Sequence, residues 1–308
     1  MTSIPLTDLV AAELAEPVHP RVSAMAAAIA ALYPRAARSV LFYGSCLRES
    51  QLEGLMLDFY LVVSDYRAAY GKSWMATANR LIPPNVFPFE HEGLVAKYAV
   101  LSEADFVREC SLAATSVSVW ARFAQPSRLV WTTDQAARQA AVAAVAEAAP
   151  TLIELTLPVL DVEAARSPLD IWRTGFALTY GAELRAERSN RSGSIVDSDP
   201  PRYERFALAA LAEIARKRGA GQGGEVPLIA APEAMRKRWK TMQRKGKALS
   251  VIRLAKASGT YAGGIDYLAW KINRHAGAGI EIKPWQRRWP LIAAFTLLPK
   301  LLRRKAIR

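Results

Sequence analysis

Gly44-Ser45 and Asp58 are the residues of this sequence whose types and spacing can do chemistry. Asp58 lies fourteen residues after Gly44. Ser39–Tyr43 before the glycine and Met56–Val63 around the aspartate both read as short apolar strands. A glycine at a strand end lets the backbone approach a phosphate closely. Ser45 and nearby amides can hydrogen-bond β- and γ-phosphates, helped by a helix N-terminus if residues 46–53 are helix rather than loop. Asp58, pointing from its strand into a cleft, can bind Mg²⁺. That ion neutralises charge building on an α-phosphate and on a pyrophosphate leaving group. Arg48, four residues after Gly44, is near enough to reach a phosphate oxygen.

A strand, Gly-Ser, and a second strand bearing an acid form the pattern of nucleotidyltransferases. Read alone, Gly-Ser is also just a strand-to-helix turn; the two strands and the spacing raise its weight. The usual pattern has a second acid two residues after the first, on the same strand face. Here that position is Tyr60. Either the domain is inactive, or its acceptor needs less help. A hydroxyl must lose a proton to attack, whereas a phosphate monoester, with a second pKa of about 6, is already an anion at neutral pH.

The elements that must position these residues follow from periodicity and punctuation. Residues 20–35 have helical spacing and end near Pro34. Residues 68–81 read as helix, and Pro83, Pro84 and Pro88 then break the chain. Leu94–Leu101 is a strand, and Ser102 caps a helix with Glu103 and Asp105 in its first turn. Residues 112–125 read as helix and 126–131 as extended. From about 134 the pattern is helical: 136–148 stopping at Pro150, then 169–188, 202–218 and 232–256. Gly219–Gly224 is a flexible linker, not a phosphate loop, since it follows no strand and lacks the Lys-Ser/Thr ending. The expected fold is α+β: a mixed sheet with helices over residues 1–133, an all-helical domain over 134–275, and a basic amphipathic tail over 276–308.

Apolar residues at 51% and charged residues at 22% are ordinary for a soluble globular chain. Two cysteines, Cys46 and Cys110, are too few for a disulfide framework, which fits a reducing, cytoplasmic setting. The N-terminus does not read as a secretory signal. With no run of about 18 uninterrupted apolar residues, no transmembrane helix is expected. The net charge of +13 is unevenly placed. Residues 236–308 hold 19 lysines and arginines against Asp266 and Glu281, a balance of +17. The remainder, with 22 basic and 26 acidic residues, carries −4. Such asymmetry implies a local anionic partner, nucleic acid or membrane.

From about residue 38 to 275 the sequence resembles the peripheral, mitochondrial-type phosphatidate cytidylyltransferases (CDP-diacylglycerol synthases). The resemblance is carried by YGS at 43–45, MLDFYLVV at 56–63, GLVAKYAVLS at 93–102, FAQPSRLVW at 123–131, ALTYGAELRAE at 177–187, PPRYERF at 200–206 and the basic stretch at 244–274. In that family too the aspartate is followed by apolar residues. Ala99 stands where the family usually has glycine, Glu183 where it has aspartate, and Cys46 where a glycine follows Gly-Ser.

The resemblance implies a nucleotidyltransferase-fold enzyme converting CTP and phosphatidate to CDP-diacylglycerol and pyrophosphate with Mg²⁺. By position it makes Lys97 a candidate to hold the triphosphate. Glu90 and Glu92 are candidates for a strand near Asp58, with Glu90 as a further metal ligand. Tyr180, Glu183 and Arg185 are candidates to line an inter-domain cleft. It implies a peripheral protein on the cytoplasmic face of the inner membrane. His19, His91 and His275 form no triad or ligand set.

Residues 285–308 mix Trp285, Trp289, leucines and Phe295 with Arg287, Arg288, Lys300, Arg303, Arg304 and Lys305. That suits an element lying in a membrane interface. The aromatics join Leu and Ile runs rather than interleaving with cations along a groove, so no nucleic-acid partner is expected. The rival readings are a nucleotidyltransferase acting on RNA or another soluble acceptor, and a non-catalytic membrane-bound scaffold.

Overall fold

The computed structural model describes residues 4–47, 52, 54–71, 73–161, 167–182, 195–219, 228–260 and 282–285. Five strands form one mixed sheet: β1 (Ala37–Tyr43), β2 (Met56–Val63), β3 (Asn85–His91), β4 (Leu94–Ser102) and β5 (Ser127–Thr132). Their order is β3-β4-β2-β1-β5. β2 and β4 are parallel, and every other neighbouring pair is antiparallel. A parallel pair needs a crossover. Here the chain between them contains α3 (Tyr66–Tyr70), α4 (Trp74–Leu81) and β3.

Helices cover both sheet faces. On one face α2 (Pro20–Ala31) lays Val22, Met25 and Ile29 against Phe42, Leu57, Phe59 and Val100. On the other lie α1 (Leu6–Ala15), α5 (Glu103–Cys110), α6 (Trp120–Phe123), α7 (Gln135–Ala146), α8 (Ala148–Thr156), α9 (Pro168–Tyr180), α10 (Pro200–Lys217) and α11 (Pro232–Thr260). Burial on both faces explains why β2 and β4 read as near-continuous apolar runs. Each fully buried leucine, valine or phenylalanine contributes roughly 1.5–3 kcal/mol.

The second core is continuous. Leu41, Tyr60, Val62, Ala99 and Leu101 of the sheet belong to one cluster with Trp120, Leu152, Trp172, Tyr203 and Trp239. The segments on either side of residue 133 therefore share a core, and α1 joins that layer too. The turn after α9 comes so close to α11 that a Cβ at Gly246 would overlap the Ala182 carbonyl oxygen. The stretch Gln135–Val159 is long and apolar enough to cross a bilayer, and its most apolar 18-residue window is 72% buried within the protein.

Several elements differ from the sequence expectation. Gly71, at φ +66°, splits the expected 68–81 helix into α3 and α4. Residues 112–125 hold only the short helix α6; two serines of the stretch before it, Ser116 and Ser118, are buried. The helix expected over 136–148 ends at Ala146, and Pro150 falls inside the next helix. It is the third residue of α8, in the first turn, where a missing N–H costs nothing. β3 forms despite Pro88 because it is an edge strand, and Pro88 is exposed. The tail expected over 276–308 lies outside the described residues except for 282–285.

Candidate functional site

The two central strands carry one charged side chain each, Asp58 on β2 and Lys97 on β4. Parallel register sets them side by side. Lys97 Nζ lies 3.0 Å from Asp58 Oδ1. That oxygen is buried without a hydrogen-bonding partner, so the approach is an ionic contact rather than a well-aligned hydrogen bond. Neither side chain is fully covered, at 23% exposed for Asp58 and 32% for Lys97.

β1 supplies the third member. Tyr43, its last residue, pairs with Asp58, and the chain turns at Gly44 with φ +100°. A Cβ at Gly44 would sit 3.3 Å from Asp58 Oδ2. Both the left-handed backbone and the close carboxylate call for glycine. Ser45 follows, exposed, in a 3-10 turn spanning Ser45–Leu47. Cys46 is buried and donates its Sγ–H to the Met56 carbonyl at 3.6 Å. The residue that departs from Gly-Ser-Gly therefore pins the loop to the start of β2.

Tyr60 shares a sheet face with Asp58 but is buried. Its ring lies 5.3 Å from both Tyr43 and Phe123 and 6.5 Å from Phe106, centroid to centroid. Ala99, its partner on β4, leaves room for it. A carboxylate at position 60 would be stranded in this aromatic cluster. The helical layer thus covers the sheet face up to Tyr60 and Ala99. It thins out at the Asp58–Lys97 row. Pro88, in that row, and Val95 and Glu90, beyond it, are exposed.

Glu90 shares this face, paired with Val95 at the edge of the sheet. It is two strands from Asp58, about 10 Å sideways, and one pleat along. Glu92 sits in the β3–β4 turn at φ +49°, its carbonyl accepting from Arg21 at 2.6 Å. Among the described residues no group of three His, Cys, Asp or Glu gathers around a metal position. Asp58 is the carboxylate at the glycine turn. A single carboxylate fits Mg²⁺ that arrives on a triphosphate, because Mg²⁺ is commonly held by one or two carboxylates plus phosphate oxygens.

Tyr180 ends α9, half-buried against the helical core. Arg48, Glu183 and Arg185 lie outside the described residues. A cavity of about 410 Å³ opens elsewhere, between Ser111, Glu147, Glu154, Lys217 and Arg218. Its charges pair among themselves, Lys217 with Glu147 at 2.6 Å and Arg218 with Glu154 at 2.5 Å, and none of Gly44, Asp58 or Lys97 lines it.

Sequence reasoning missed a second polar junction. From α11, Arg253 donates to the Pro83 carbonyl at 2.8 Å and to Ser118 Oγ at 2.6 Å. Lys256 donates to the carbonyls of Pro84, at 2.8 Å, and Ile82. Burial, reinforced by Arg253, pushes the Lys256 amine down to about 7. The signal was present as a basic stretch, but nothing local said which cations turn inward.

Comparison with known proteins adds no assignment: no protein-family model and no curated protein sequence matches the chain.

Proposed function

We propose that this chain is a phosphatidate cytidylyltransferase of nucleotidyltransferase fold, peripheral on the cytoplasmic face of the inner membrane. It would join CTP and phosphatidate to give CDP-diacylglycerol and pyrophosphate. One observation carries the proposal. The charged residues of the two central strands meet beside a left-handed glycine turn, at the margin where the helical layer stops.

The roles follow from that placement and, for Arg48, Tyr180, Glu183 and Arg185, from the sequence pattern and resemblance. The Gly44 backbone and Ser45 receive the β- and γ-phosphates, with Arg48 as a further phosphate contact. Lys97 gives up part of its hold on Asp58 to a phosphate oxygen. Asp58 holds Mg²⁺, which supplies charge neutralisation on the triphosphate when bound. Tyr180, Glu183 and Arg185 are assigned to the substrate cleft by the sequence resemblance. A phosphate oxygen of phosphatidate attacks the α-phosphorus of CTP. The new P–O–P bond forms as the bond to the pyrophosphate oxygen breaks, and the electron pair leaves with pyrophosphate. The acceptor phosphate is ionised at neutral pH, so no side chain need remove a proton. The buried Tyr60 supports this reading, since the position of a second acid is filled by core.

The test is direct. Full-length protein is incubated with labelled CTP, Mg²⁺ and phosphatidate vesicles. CDP-diacylglycerol should form, and Asp58→Asn should lower the rate at least about a hundredfold. Folded wild-type protein that gives no product, or an Asp58→Asn variant of unchanged activity, would sink the proposal. Product on RNA or another soluble acceptor instead would establish the rival transferase.

A further inference from the structure

Three large apolar side chains are exposed on two elements that meet at one junction. Trp74 is 58% exposed and Leu81 73% exposed, at the two ends of α4. Seven residues apart, they lie on the same side of that helix. Ile252 of α11 is 44% exposed. The contacts of Arg253 and Lys256 with the carbonyls of residues 82–84 tie α11 to the chain leaving Leu81. Leu81 and Ile252 therefore flank a single polar clamp.

The side of α11 that carries Ile252 is cationic along its length. Lys237, Arg244, Lys245 and Ile252 fall within about 100° of arc and span roughly 22 Å of helix. All four are exposed. The opposite side buries Met235, Trp239, Met242 and Gly246. No acid follows Glu233 in this helix. Exposed apolar side chains and a basic stripe thus lie on two elements joined by one clamp.

We propose that this face of α4 and α11 docks on an anionic lipid bilayer, with Trp74, Leu81 and Ile252 in the interface and Lys237, Arg244 and Lys245 on headgroup phosphates. An indole and two aliphatic side chains suit headgroup depth, and the cations complement anionic lipid. Nucleic acid fits less well. It would stack bases on rings along the cationic stripe, whereas Trp239, the aromatic residue among these cations, is buried. This docking rests on the lipid-facing reading of the Asp58 site, but its test requires no turnover.

Full-length protein is sedimented with phosphatidylcholine vesicles, with and without phosphatidylglycerol. Wild type should bind the anionic vesicles and release at raised salt. A Lys237→Gln, Arg244→Gln, Lys245→Gln variant should bind at least about tenfold more weakly. A Trp74→Ser, Leu81→Ser variant should weaken severalfold at low salt, where charge alone is strongest. Circular dichroism confirms that each variant is folded. Asp58→Asn should bind like wild type, so a failed cytidylyltransferase assay and a failed docking test remain distinct. Both surface variants binding like wild type would overturn the inference. So would variants that keep vesicle binding but lose binding to single-stranded RNA.

Discussion

Arg202 with Glu13, and Lys97 with Asp58, are two pairs of opposite charge placed differently in the fold. Arg202 on α10 is 4% exposed and Glu13 on α1 is 11% exposed. The guanidinium reaches both Glu13 oxygens, through Nε and, at 2.9 Å, through Nη2. It also donates to the Ala124 carbonyl at 3.3 Å and lies 4.2 Å from the Phe206 ring. Burial works against the charge, but Glu13 outweighs it and Arg202 is held more firmly protonated than usual. The protein itself completes this pair. The other sits at an open margin, and its aspartate keeps a buried oxygen outside any hydrogen bond. A charge satisfied by its own fold staples elements together. A charge left with unused capacity is available to a ligand.

The strongest test of this contrast is substitution of each pair. Arg202→Ala strands Glu13 in the core and should lower the unfolding free energy by about 3–5 kcal/mol in urea titration. Asp58→Asn should lower it by less than about 1 kcal/mol, as for part-exposed pairs, while abolishing Mg²⁺-dependent CTP binding measured by calorimetry. Equal destabilisation by the two would break the comparison.

Gly44→Ala comes next. It forces a side chain to φ +100° and brings a methyl group against Asp58 Oδ2. The expected loss is about 1–3 kcal/mol, together with weaker CTP binding. A variant of full stability and affinity would show that the turn and the carboxylate are not coupled.

A further test is a pH dependence at Lys256. Its folded-state value is pushed down to about 7, against about 10.4 in an unfolded chain. Between those values the unfolded chain binds more protons, so stability from this group rises with pH. Below the folded value both states are protonated and the dependence vanishes. The melting temperature of wild type relative to Lys256→Gln should climb between about pH 7 and pH 10 and stay level below. A difference that stays level throughout would place the amine in solvent.

Local signals were legible where chemistry is local. Gly44, Asp58 and the strands around them come from turn and strand preferences. The Ser102 cap also reads directly, its Oγ accepting from the Asp105 amide at 3.2 Å. What could not be read is set by long-range pairing. Glu13 and Arg202 are 189 residues apart, and no periodicity joins them. Edge position rather than composition admits Pro88 into β3. Lys97 drew attention through resemblance alone, because only the β2–β4 register makes it Asp58's neighbour. The same register places Ala99 beside Tyr60, so two departures that looked separate are one packing solution.

The parallel pairing of β2 with β4 also fixes when the site can exist. Hairpins such as β3–β4 close early and locally, whereas a parallel pair waits for the intervening chain. A nascent or stalled chain can possess the glycine turn and lack its lysine. The Asp58–Lys97 pair therefore forms only after the chain between its strands has folded back, and under the proposed function CTP binding during refolding should trail the recovery of helical signal.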